Sequence, residues 1–471
     1  MITRVTPRKF SGTVKIPASK SHTIRQLLIA SLADGISEIN YPLDSLDTRS
    51  CIAVCRAFGA EITEQRDGEK IINWKIRGNN GFKNLTEAQR HKSFYESSVI
   101  DTGNSGTTLY LALAIAGLQS QSIKFTGDKQ IQKRSAAPLL NALKGLGIEV
   151  QSNNGCTPIM IKGPWKGGKV KLPCLTSQYL SALLIASPLA PAGTVTEIEV
   201  PLLNEKPYID MTLSYLKSHA IPYTAVMNPP DNLKECWSGN FIVPGGSFWK
   251  TFSGDNSFNF VPGDFSSAAF PAAAAVISGG KITLLGLDPD DTQGDKYFLK
   301  ILADMGCTVQ WQKASDNGDG YSLTVFRDGP LRGGTFDLNE TPDLLPAAAV
   351  VAAFAHGDTA LVNVAHARIK ETDRIAVMSR ELAKLGVCST ELPDGLIIHG
   401  KGALFTSGLP IKNNITEING HSDHRIVMAF AAAALGSPVS IDITTAESAS
   451  VTYPDFLNLL NAKKSDKSVL L

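Results

Sequence analysis

One small element recurs six times along the chain, and this repeat constrains the fold more than any other feature. Each copy is a loop of small polar residues followed by a helical stretch rich in Ala and Leu. The copies are SKSHTIRQLLIASLADG from Ser19, GNSGTTLYLALAIAG from Gly103, TSQYLSALLIASPLA from Thr176, GDFSSAAFPAAAAVISGG from Gly263, PDLLPAAAVVAAFAHG from Pro342 and HSDHRIVMAFAAAALGS from His421. Their starts lie roughly 70–90 residues apart, a spacing that indicates a repeat architecture with one structural unit per copy.

A second element follows most copies: an amphipathic helix that ends in Gly and leads into a short strand. Clear examples are CIAVCRAFGAEIT, LLNALKGLGIEVQ, FLKILADMGCTVQ and SRELAKLGVCST, whereas TLSYLKSHAIPY and FLNLLNAK are weaker copies. A Gly after the last apolar turn is typical of a helix C-terminus. Each unit is therefore predicted to contain two helices and alternating strands such as KITLLGL.

The first helix of each unit is apolar around nearly its whole circumference, which predicts that sheets and other helices bury it. The chain has 471 residues, more than one core accommodates, because single cores stop growing beyond about 250–300 residues. Apolar residues make up 43% and charged residues 19%, a composition typical of folded proteins rather than disordered ones. We therefore predict an α/β fold built from six repeated α/β units.

The charge balance and the cysteines narrow the classes of function. Lys and Arg number 45 and Asp and Glu number 44, so the net charge of +1 argues against a nucleic-acid partner, which needs a broad basic surface. Any anion must then be bound by a local cluster. The seven cysteines are odd in number and form no C-x-x-C pair, which favours neither a disulfide framework nor a zinc site.

Nothing in the sequence indicates a membrane partner. The longest apolar run, from Leu345 to Ala355, is about half of the ~20 residues that a bilayer span requires. The segment Met1–Ile16 alternates polar and apolar residues without a secretory core. We expect a cytoplasmic protein.

The polar loops before the buried helices are candidates for binding an anion. Helix N-termini carry unsatisfied N–H groups and a partial positive charge. Ser, Thr, Asp and Asn at these positions are also ordinary N-caps, so one such loop alone does not indicate a site. Capping needs no cations, yet three of the loops hold Lys20 and Arg25, Lys370 and Arg374, and Arg425.

The charged residues of these loops allow more than one interpretation. Lys370 and Arg374 share a helical face, and taken alone that face would be a solvated, salt-bridged surface. The sequence Asp423-His424-Arg425 opens the most apolar helix, where a buried Arg is harder to explain by solvation. Without a nearby third ligand, His421 and His424 are interpreted as hydrogen-bonding residues rather than metal ligands.

These motifs resemble those of the 5-enolpyruvylshikimate-3-phosphate synthase family, in that family's order and over essentially the whole chain. The motifs are SKSHTIR, GNSGTT, TSQYLSALL, NEKPYID, GDFSSA, PDLLPA, KETDR and SDHRI. The resemblance implies a two-domain inside-out α/β barrel with three repeats per domain. One domain would contain residues 19–247 and the other residues 1–18 with 248–471, with the active site in the cleft between them.

The resemblance also implies the reaction. Family members transfer the carboxyvinyl group of phosphoenolpyruvate to the 5-hydroxyl of shikimate 3-phosphate and release phosphate, without a metal or organic cofactor. We accordingly expect these two substrates, no cofactor and a monomer.

The substrates explain the residue types at the matching positions. Both carry phosphate and carboxylate groups, which Lys and Arg bind through charge-assisted, often bidentate contacts. The matching positions are Lys20, Ser21 and Arg25 for the shikimate part, Thr176, Ser177 and Lys370 for its 3-phosphate, and Gly106, Arg374 and Arg425 for phosphoenolpyruvate, with Gln178, Tyr208 and His424 in the same cleft. Lys20 is expected to contact both substrates.

The chemistry requires a base for the hydroxyl and an acid for the methylene carbon. By resemblance, Asp343 accepts the hydroxyl proton and Glu371 relays the proton of the methylene carbon, while Lys20 assists. Which group handles which proton is left open by the sequence.

Five positions depart from the common family pattern: Tyr110, Gln130, Glu205, His366 and Val451. Tyr110 and Gln130 stand where the family has Arg, and Val451 where it has Lys. Arg134, one helical turn beyond Gln130, is predicted to replace a missing cation. Glu205 stands in place of a Ser and would repel a bound phosphate unless its carboxylate turned toward Lys206.

Three alternatives stay open at this level. The first is a related enolpyruvyl transferase with another hydroxyl acceptor, such as the enzyme acting on UDP-N-acetylglucosamine, which has a reactive Cys in the loop corresponding to Lys129–Ser135, where this chain has none. The others are a non-catalytic phosphoanion-binding scaffold and an RNA-phosphate-processing relative. Carboxylates at Asp343 and Glu371 argue against a simple anion trap.

Overall fold

The computed structural model describes residues 1–83, 99–231, 236–253, 259–313, 320–403 and 415–461. The chain divides into two compact units. The first unit contains Met1–Pro17 and Pro262–Leu471, and the second contains Ala18–Val261. The second unit is thus an insertion between two parts of the first.

The segment that follows residue 247 packs on the second unit. Trp249 Nε1 donates a hydrogen bond to the Ile185 carbonyl at 3.1 Å, and the Phe252 N–H donates to Ser37 Oγ at 3.1 Å. The sequence prediction assigned this segment to the other domain; the domain boundaries drawn from the sequence stay a prediction.

Helices are interspersed with single strands and runs of strands along the chain. The first unit begins with β1 (Ile2–Val5) and β2 (Gly12–Lys15). The second unit contains α1 (Lys20–Leu32), β3 (Ile36–Asn40), α2 (Leu46–Ala57), β4 (Glu61–Asp67), β5 (Lys70–Arg77), β6 (Ile100–Asp101), α3 (Gly106–Ala116), β7 (Ile123–Thr126), α4 (Ala137–Gly145), β8 (Glu149–Asn153), β9 (Cys156–Lys162), β10 (Gly168–Lys171), α5 (Gln178–Ala186), β11 (Val195–Leu203), α6 (Lys206–Ser218), β12 (Thr224–Asn228) and β13 (Trp237–Pro244).

The first unit then resumes. Its remaining elements are α7 (Phe265–Ser278), β14 (Lys281–Leu285), α8 (Tyr297–Asp304), β15 (Cys307–Lys313), β16 (Tyr321–Arg327), β17 (Thr335–Asp337), α9 (Leu345–Ala353), β18 (His356–Val362), α10 (Arg374–Ala383), β19 (Cys388–Leu392), β20 (Gly395–Lys401), β21 (Ile415–Asn419), α11 (His424–Ala434), β22 (Ser440–Thr444) and α12 (Phe456–Asn461). Short 3₁₀ turns at Ile131–Lys133, Pro342–Leu344 and Ala365–Ile369 precede α4, α9 and α10.

The strand pairing confirms the repeat. The described residues form six sheets of three or four strands, three sheets in each unit. In the sheet β6-β7-β9-β8, the first pair is parallel and the other two are antiparallel, and the sheets β10-β11-β13-β12 and β17-β18-β20-β19 have the same pattern. Each of these repeats is therefore a β-α-β-α-β-β unit, in which the buried helix connects the two parallel strands.

Two repeats are completed by residues distant in the chain. In the first unit, β2 pairs in parallel with β14, so a repeat begins at Gly12 and continues only after the inserted second unit. In the second unit, the N–H of Val261 donates to the carbonyl of Asn40 at 3.2 Å, beside β3. In each unit, one repeat is thus completed by a segment that is distant along the chain.

The core of each unit is formed by the repeated apolar helices. In the first unit α7, α9 and α11 pack against one another, and in the second α1 and α5 both pack against α3. Every residue of α3, α9 and α11 is buried. Their many alanines let the helix backbones approach closely. Packing on all sides removes their apolar surface from water, which stabilises the fold. The sequence prediction of helices buried around their whole circumference is confirmed.

Truncation of a leucine in one of these helices should destabilise the fold. Leu183 in α5 is fully buried, whereas Leu175 is 40% exposed. We expect Leu183→Ala to lower the free energy of unfolding by about 2–5 kcal/mol, because the side chain loses burial and leaves a cavity. Urea unfolding followed by tryptophan fluorescence measures this, with Leu175→Ala as the control. Equal midpoints for the two variants would contradict the packing described.

Candidate active site

The sequence-predicted site residues form two groups, one in each unit. In the second unit they are Lys20, Ser21 and Arg25 on α1, Gly106 on α3, Arg134 before α4, Thr176, Ser177 and Gln178 at the start of α5, and Tyr208 on α6. In the first unit they are Asp343 before α9, Lys370, Glu371 and Arg374 at the start of α10, and His424 and Arg425 at the start of α11. Both groups lie mainly at helix N-termini, where the backbone dipole favours anions.

Lys20 is held by a carboxylate from the neighbouring helix. Ser19 caps α1 by accepting a hydrogen bond from the His22 N–H. Lys20 Nζ then lies 3.1 Å from Oδ2 of Asp47, in the first turn of α2. The two side chains are only 16% and 6% exposed, so water screens their attraction less than in a surface pair. Asp47 thereby fixes the position of the Lys20 ammonium.

Arg25 is a buried cation with neutral partners. Nε donates to Thr212 Oγ1 at 3.0 Å, Nη2 to Ser181 Oγ at 3.1 Å and to the Tyr208 carbonyl at 3.3 Å, and Nη1 to the Ser21 carbonyl at 3.1 Å. Burial lowers the pKa of the guanidinium to about 10. Across the described ranges, no carboxylate lies within ion-pair distance of Arg25. A buried cation of this kind favours an anionic ligand.

The loop before α5 gathers hydrogen-bond donors around one carboxylate oxygen. Glu205 Oε2 accepts from Thr176 Oγ1 at 2.9 Å, from the Ser177 N–H at 2.9 Å and from Ser177 Oγ at 2.8 Å. Lys206 instead pairs with Asp210 and lies 4.8 Å from the centroid of the Trp237 ring. The Oε2 oxygen of Glu205 therefore faces Thr176 and Ser177 before α5 and not Lys206.

Arg134 approaches the first residue of α3. A Cβ added to Gly106 would lie 3.0 Å from Arg134 Nη1 and 3.9 Å from Gln178 Oε1. Ser105 caps the helix, since its Oγ accepts from the Thr108 N–H at 3.3 Å. The structure therefore brings Gly106, Arg134 and Gln178 together at one helix N-terminus.

Two of the departures from the family pattern have clear partners. Tyr110 is buried and meets the Tyr179 ring edge-on at 5.1 Å between centroids. Gln130 Oε1 accepts from Asn104 Nδ2 at 2.7 Å. Tyr110 fills its position with an aromatic contact, and Gln130 fixes the side chain of Asn104, next to Ser105.

Arg374 is the centre of the group in the first unit. Its Nε donates to Asp423 Oδ2 at 2.9 Å, Nη1 donates to Asp343 Oδ1 at 2.7 Å, and Nη2 donates to Glu371 Oε2. Burial alone would lower the pKa of Arg374, but the three carboxylates raise it above its usual value. Asp423 also caps α11 through the Arg425 N–H at 3.0 Å. One guanidinium therefore orients three carboxylates.

Asp343 is shared between two arginines. Besides its contact with Arg374, Asp343 Oδ2 accepts from Arg425 Nη2 at 2.8 Å. Burial disfavours the charged carboxylate, but Arg425, Lys370 and Arg374 outweigh burial and hold its pKa well below its usual range. Asp343 is therefore ionised at neutral pH.

Lys370 and His424 complete this group. Lys370 is close enough to Asp343 to lower the pKa of its carboxyl. His424 is buried, with Nδ1 4.0 Å from Asp423 Oδ1. Over the described residues, no group of three or more His, Cys, Asp and Glu side chains has an arrangement that would hold a metal ion.

Asp295, in the turn before α8, is a buried carboxyl group beside this network. It is 1% exposed, and its Oδ2 accepts a hydrogen bond from Ser266 Oγ. Its Oδ1 has no hydrogen-bond partner among the residues that the structure describes. Burial and the nearby charge of Asp343 raise the pKa of Asp295 to about 7. This environment favours the neutral acid.

Sequence analysis missed Asp47 and Asp295 and did not assign a role to Asp423. Asp423 could have been found, since it stands beside Arg425 before a buried helix and has the residue type of an N-cap. Asp47 and Asp295 carry no comparable signal. Their partners are contributed by other loops and helices, so only the tertiary structure reveals them.

The structure thus consists of repeated α/β units, three sheets in each compact unit, with cationic side chains at the N-termini of several buried helices. The model of the family "EPSP synthase (3-phosphoshikimate 1-carboxyvinyltransferase)" matches residues 5–460. The chain belongs to this family.

Named relatives extend over nearly the whole chain. The 3-phosphoshikimate 1-carboxyvinyltransferase of Acetivibrio thermocellus is 42% identical over 473 residues and covers 99% of both chains. That of Methanothermobacter thermautotrophicus is 36% identical over 449 residues and covers 94% of both. The structure of EPSP synthase from Acinetobacter baumannii superposes with a TM-score of 0.73 at 26% identity, covering 98% of this chain and 97% of that one. The expected fold and family are confirmed.

Replacing Asp295 by Asn should change the pH dependence of stability. The pKa of Asp295 is about 7 in the folded state and about 4 in the unfolded state, so the folded state holds the proton more tightly. The wild type should therefore lose stability as the pH rises from about 4 to above 7. Each pKa unit corresponds to about 1.4 kcal/mol. Asp295→Asn mimics the neutral acid and should make urea midpoints between pH 5 and pH 8 more nearly equal.

Asp304→Asn is the control, because Asp304 is an exposed carboxylate that pairs with Lys300 on α8. It should retain the wild-type pH dependence. An Asp295→Asn variant whose midpoints follow the wild type at every pH would show that Asp295 is ionised throughout this range.

Proposed function

We propose that the chain transfers the carboxyvinyl group of phosphoenolpyruvate to the 5-hydroxyl of shikimate 3-phosphate and releases phosphate, a step of the shikimate pathway to aromatic amino acids. Family membership over residues 5–460 supports this reaction. The observation that carries the site is Asp343, a carboxylate kept ionised by Arg374, Arg425 and Lys370. The cations keep Asp343 in the form that can accept a proton, and they also supply positive charge for a reaction of two anions.

Binding of the substrates is assigned to both units. In the second unit, buried Arg25 donates its hydrogen bonds to hydroxyl and carbonyl oxygens, which supports a role in binding the shikimate part, with Ser21 and Tyr208 beside it. Thr176, Ser177 and Lys370 are proposed to bind the 3-phosphate. Arg374 and Arg425 of the first unit and Arg134 of the second are proposed to bind phosphoenolpyruvate, and Gln178 and His424 are proposed as further substrate-binding residues of their own units.

The mechanism uses the side chains as proton carriers. The 5-hydroxyl oxygen forms a bond to C2 of phosphoenolpyruvate while Asp343 accepts the hydroxyl proton, and the methylene carbon gains a proton relayed by Glu371. The tetrahedral intermediate then loses phosphate as the C–O bond to that group breaks, and the phosphate takes the proton held by Asp343. The methyl group returns a proton to Glu371 as the double bond is restored. Lys20, positioned by Asp47, stabilises negative charge on both substrates.

The alternatives left open by the sequence are less favoured. The relatives that match over nearly the whole chain are 3-phosphoshikimate 1-carboxyvinyltransferases. None of the helices in the described ranges combines the length and hydropathy needed to cross a membrane. The cytoplasmic location and the monomeric state expected from the sequence remain proposals.

A phosphate-release assay tests the function directly. Purified protein with phosphoenolpyruvate should release phosphate rapidly with shikimate 3-phosphate and much more slowly with shikimate or UDP-N-acetylglucosamine. Turnover with UDP-N-acetylglucosamine alone would identify a different acceptor.

Neutral variants of the two carboxylates should lose turnover. Asp343→Asn and Glu371→Gln preserve side-chain shape but cannot accept a proton as the carboxylates do. We expect each variant to lower kcat by at least ~10²-fold, the lower range for general acid–base catalysis. Stopped assays of phosphate release measure this, and circular dichroism and substrate titration verify that the variants fold and bind. Near-normal kcat in both variants would exclude the proposed proton carriers.

Arg134→Gln should weaken the binding of phosphoenolpyruvate. The guanidinium lies at the N-terminus of α3, and its loss removes a charge-assisted contact to a multiply charged anion. We expect KM for phosphoenolpyruvate to rise at least tenfold, about 1.4 kcal/mol, with little change for shikimate 3-phosphate. Lys133→Gln is the matched control, since Lys133 is exposed. If Lys133→Gln has the larger effect, the cation has been misassigned.

A further inference from the structure

The loop before α5 forms an oxyanion nest, here defined as Thr176 Oγ1, Ser177 Oγ and the Ser177 N–H, and an internal carboxylate occupies it. All three donors point at Glu205 Oε2, at 2.8–2.9 Å. Glu205 is 2% exposed, and Thr176 and Ser177 are buried with it. A carboxylate oxygen with three donors is chemically close to a phosphate oxygen bound at a helix N-terminus.

The fold holds the nest and the carboxylate in register. The Cys174 N–H donates to the Leu202 carbonyl at 2.7 Å, and the Asn204 N–H donates back to the Cys174 carbonyl at 3.2 Å. Glu205 follows in a left-handed conformation, with φ 59° and ψ 41°, directly before α6. The two loops are thus joined by backbone hydrogen bonds, and the Glu205 side chain is directed at the nest.

The donors cannot serve two anions at once. A hydroxyl group and a backbone N–H each have a single hydrogen to donate, so the nest offers three hydrogens in total. All three are directed at Glu205 Oε2 in this structure. A phosphate seated on the same donors would also lie beside the carboxylate, and the two negative charges would repel each other in a site with little water.

We propose that Glu205 is a specificity-determining residue that competes with the acceptor's phosphate group for the oxyanion nest, so that the phosphate binds only by displacing the carboxylate. The inference rests on the proposed function, which assigns Thr176 and Ser177 to the 3-phosphate. An acceptor without a phosphate group displaces nothing. The chain therefore discriminates less between shikimate 3-phosphate and shikimate than it would without the carboxylate at position 205.

Removing the carboxylate tests this competition. Glu205→Gly empties the nest, and glycine suits the left-handed conformation at this position. Glu205→Gln keeps the size of the side chain and removes its charge, and it serves if the Gly variant fails to fold. Glu199→Gln is the matched control for charge, because Glu199 lies on β11 of the same unit and pairs with Lys171 on the neighbouring strand β10, where both side chains are exposed.

Calorimetric titration with shikimate 3-phosphate and with shikimate is the measurement. We expect Glu205→Gly to tighten the Kd for shikimate 3-phosphate at least tenfold and Glu205→Gln to tighten it less. The Kd for shikimate should change less than twofold, and Glu199→Gln should match the wild type for both ligands. If the Glu205 variants melt at a lower temperature but bind shikimate 3-phosphate no more tightly than the wild type, the carboxylate only caps the loop and the proposal is overturned.

Two further readouts separate this proposal from the proposed function. If the wild type turns over shikimate 3-phosphate but both Glu205 variants bind it with unchanged affinity, only the proposed competition between Glu205 and the phosphate group is overturned. If the wild type neither turns over nor binds shikimate 3-phosphate, titration with inorganic phosphate still decides whether Glu205 competes with a phosphate for the nest. Tighter phosphate binding by Glu205→Gly would then support the competition although the proposed function had failed, and unchanged phosphate binding would overturn both.

Discussion

One buried guanidinium holds the carboxylates of the candidate site in the first unit. Arg374 contacts Asp343, Glu371 and Asp423, which come from three different segments of the chain. Removing one partner of a buried ion pair typically costs about 3–5 kcal/mol, because the remaining charge is left uncompensated. The same contacts that hold α10 and α11 in place therefore also orient the two carboxylates proposed to move protons.

The charged side chains of the second unit are paired differently. Its cations are not concentrated in one network: Lys20 is paired with Asp47, whereas Arg25 donates only to hydroxyl and carbonyl oxygens. Its prominent carboxylate, Glu205, accepts from uncharged donors at a helix N-terminus. The second unit thus contains one buried cation suited to an anion and one donor nest already occupied by an anion.

In this protein a helix cap can also position a cation. Ser19, Ser105 and Asp423 cap buried helices, as the simplest interpretation of the polar loops requires. Asp423 does so while binding Arg374, so one carboxylate satisfies a helix terminus and positions a cation. The capping interpretation was correct for these residues, yet it did not exclude a role in the site.

The sequence by itself determined the six repeats, the buried apolar helices and the family, because these are encoded in local periodicity and in motifs of a few residues. The cations were identified because capping does not explain charged residues before an apolar helix, whereas the two carboxylates Asp343 and Glu371 were identified by the resemblance to the family. Only the tertiary structure decided that Lys20 meets Asp47, that Asp295 lies beside Asp343 and that Glu205 faces Ser177. Each of these pairs joins segments 27 or more residues apart, and no local pattern records a distance that depends on how helices and loops pack.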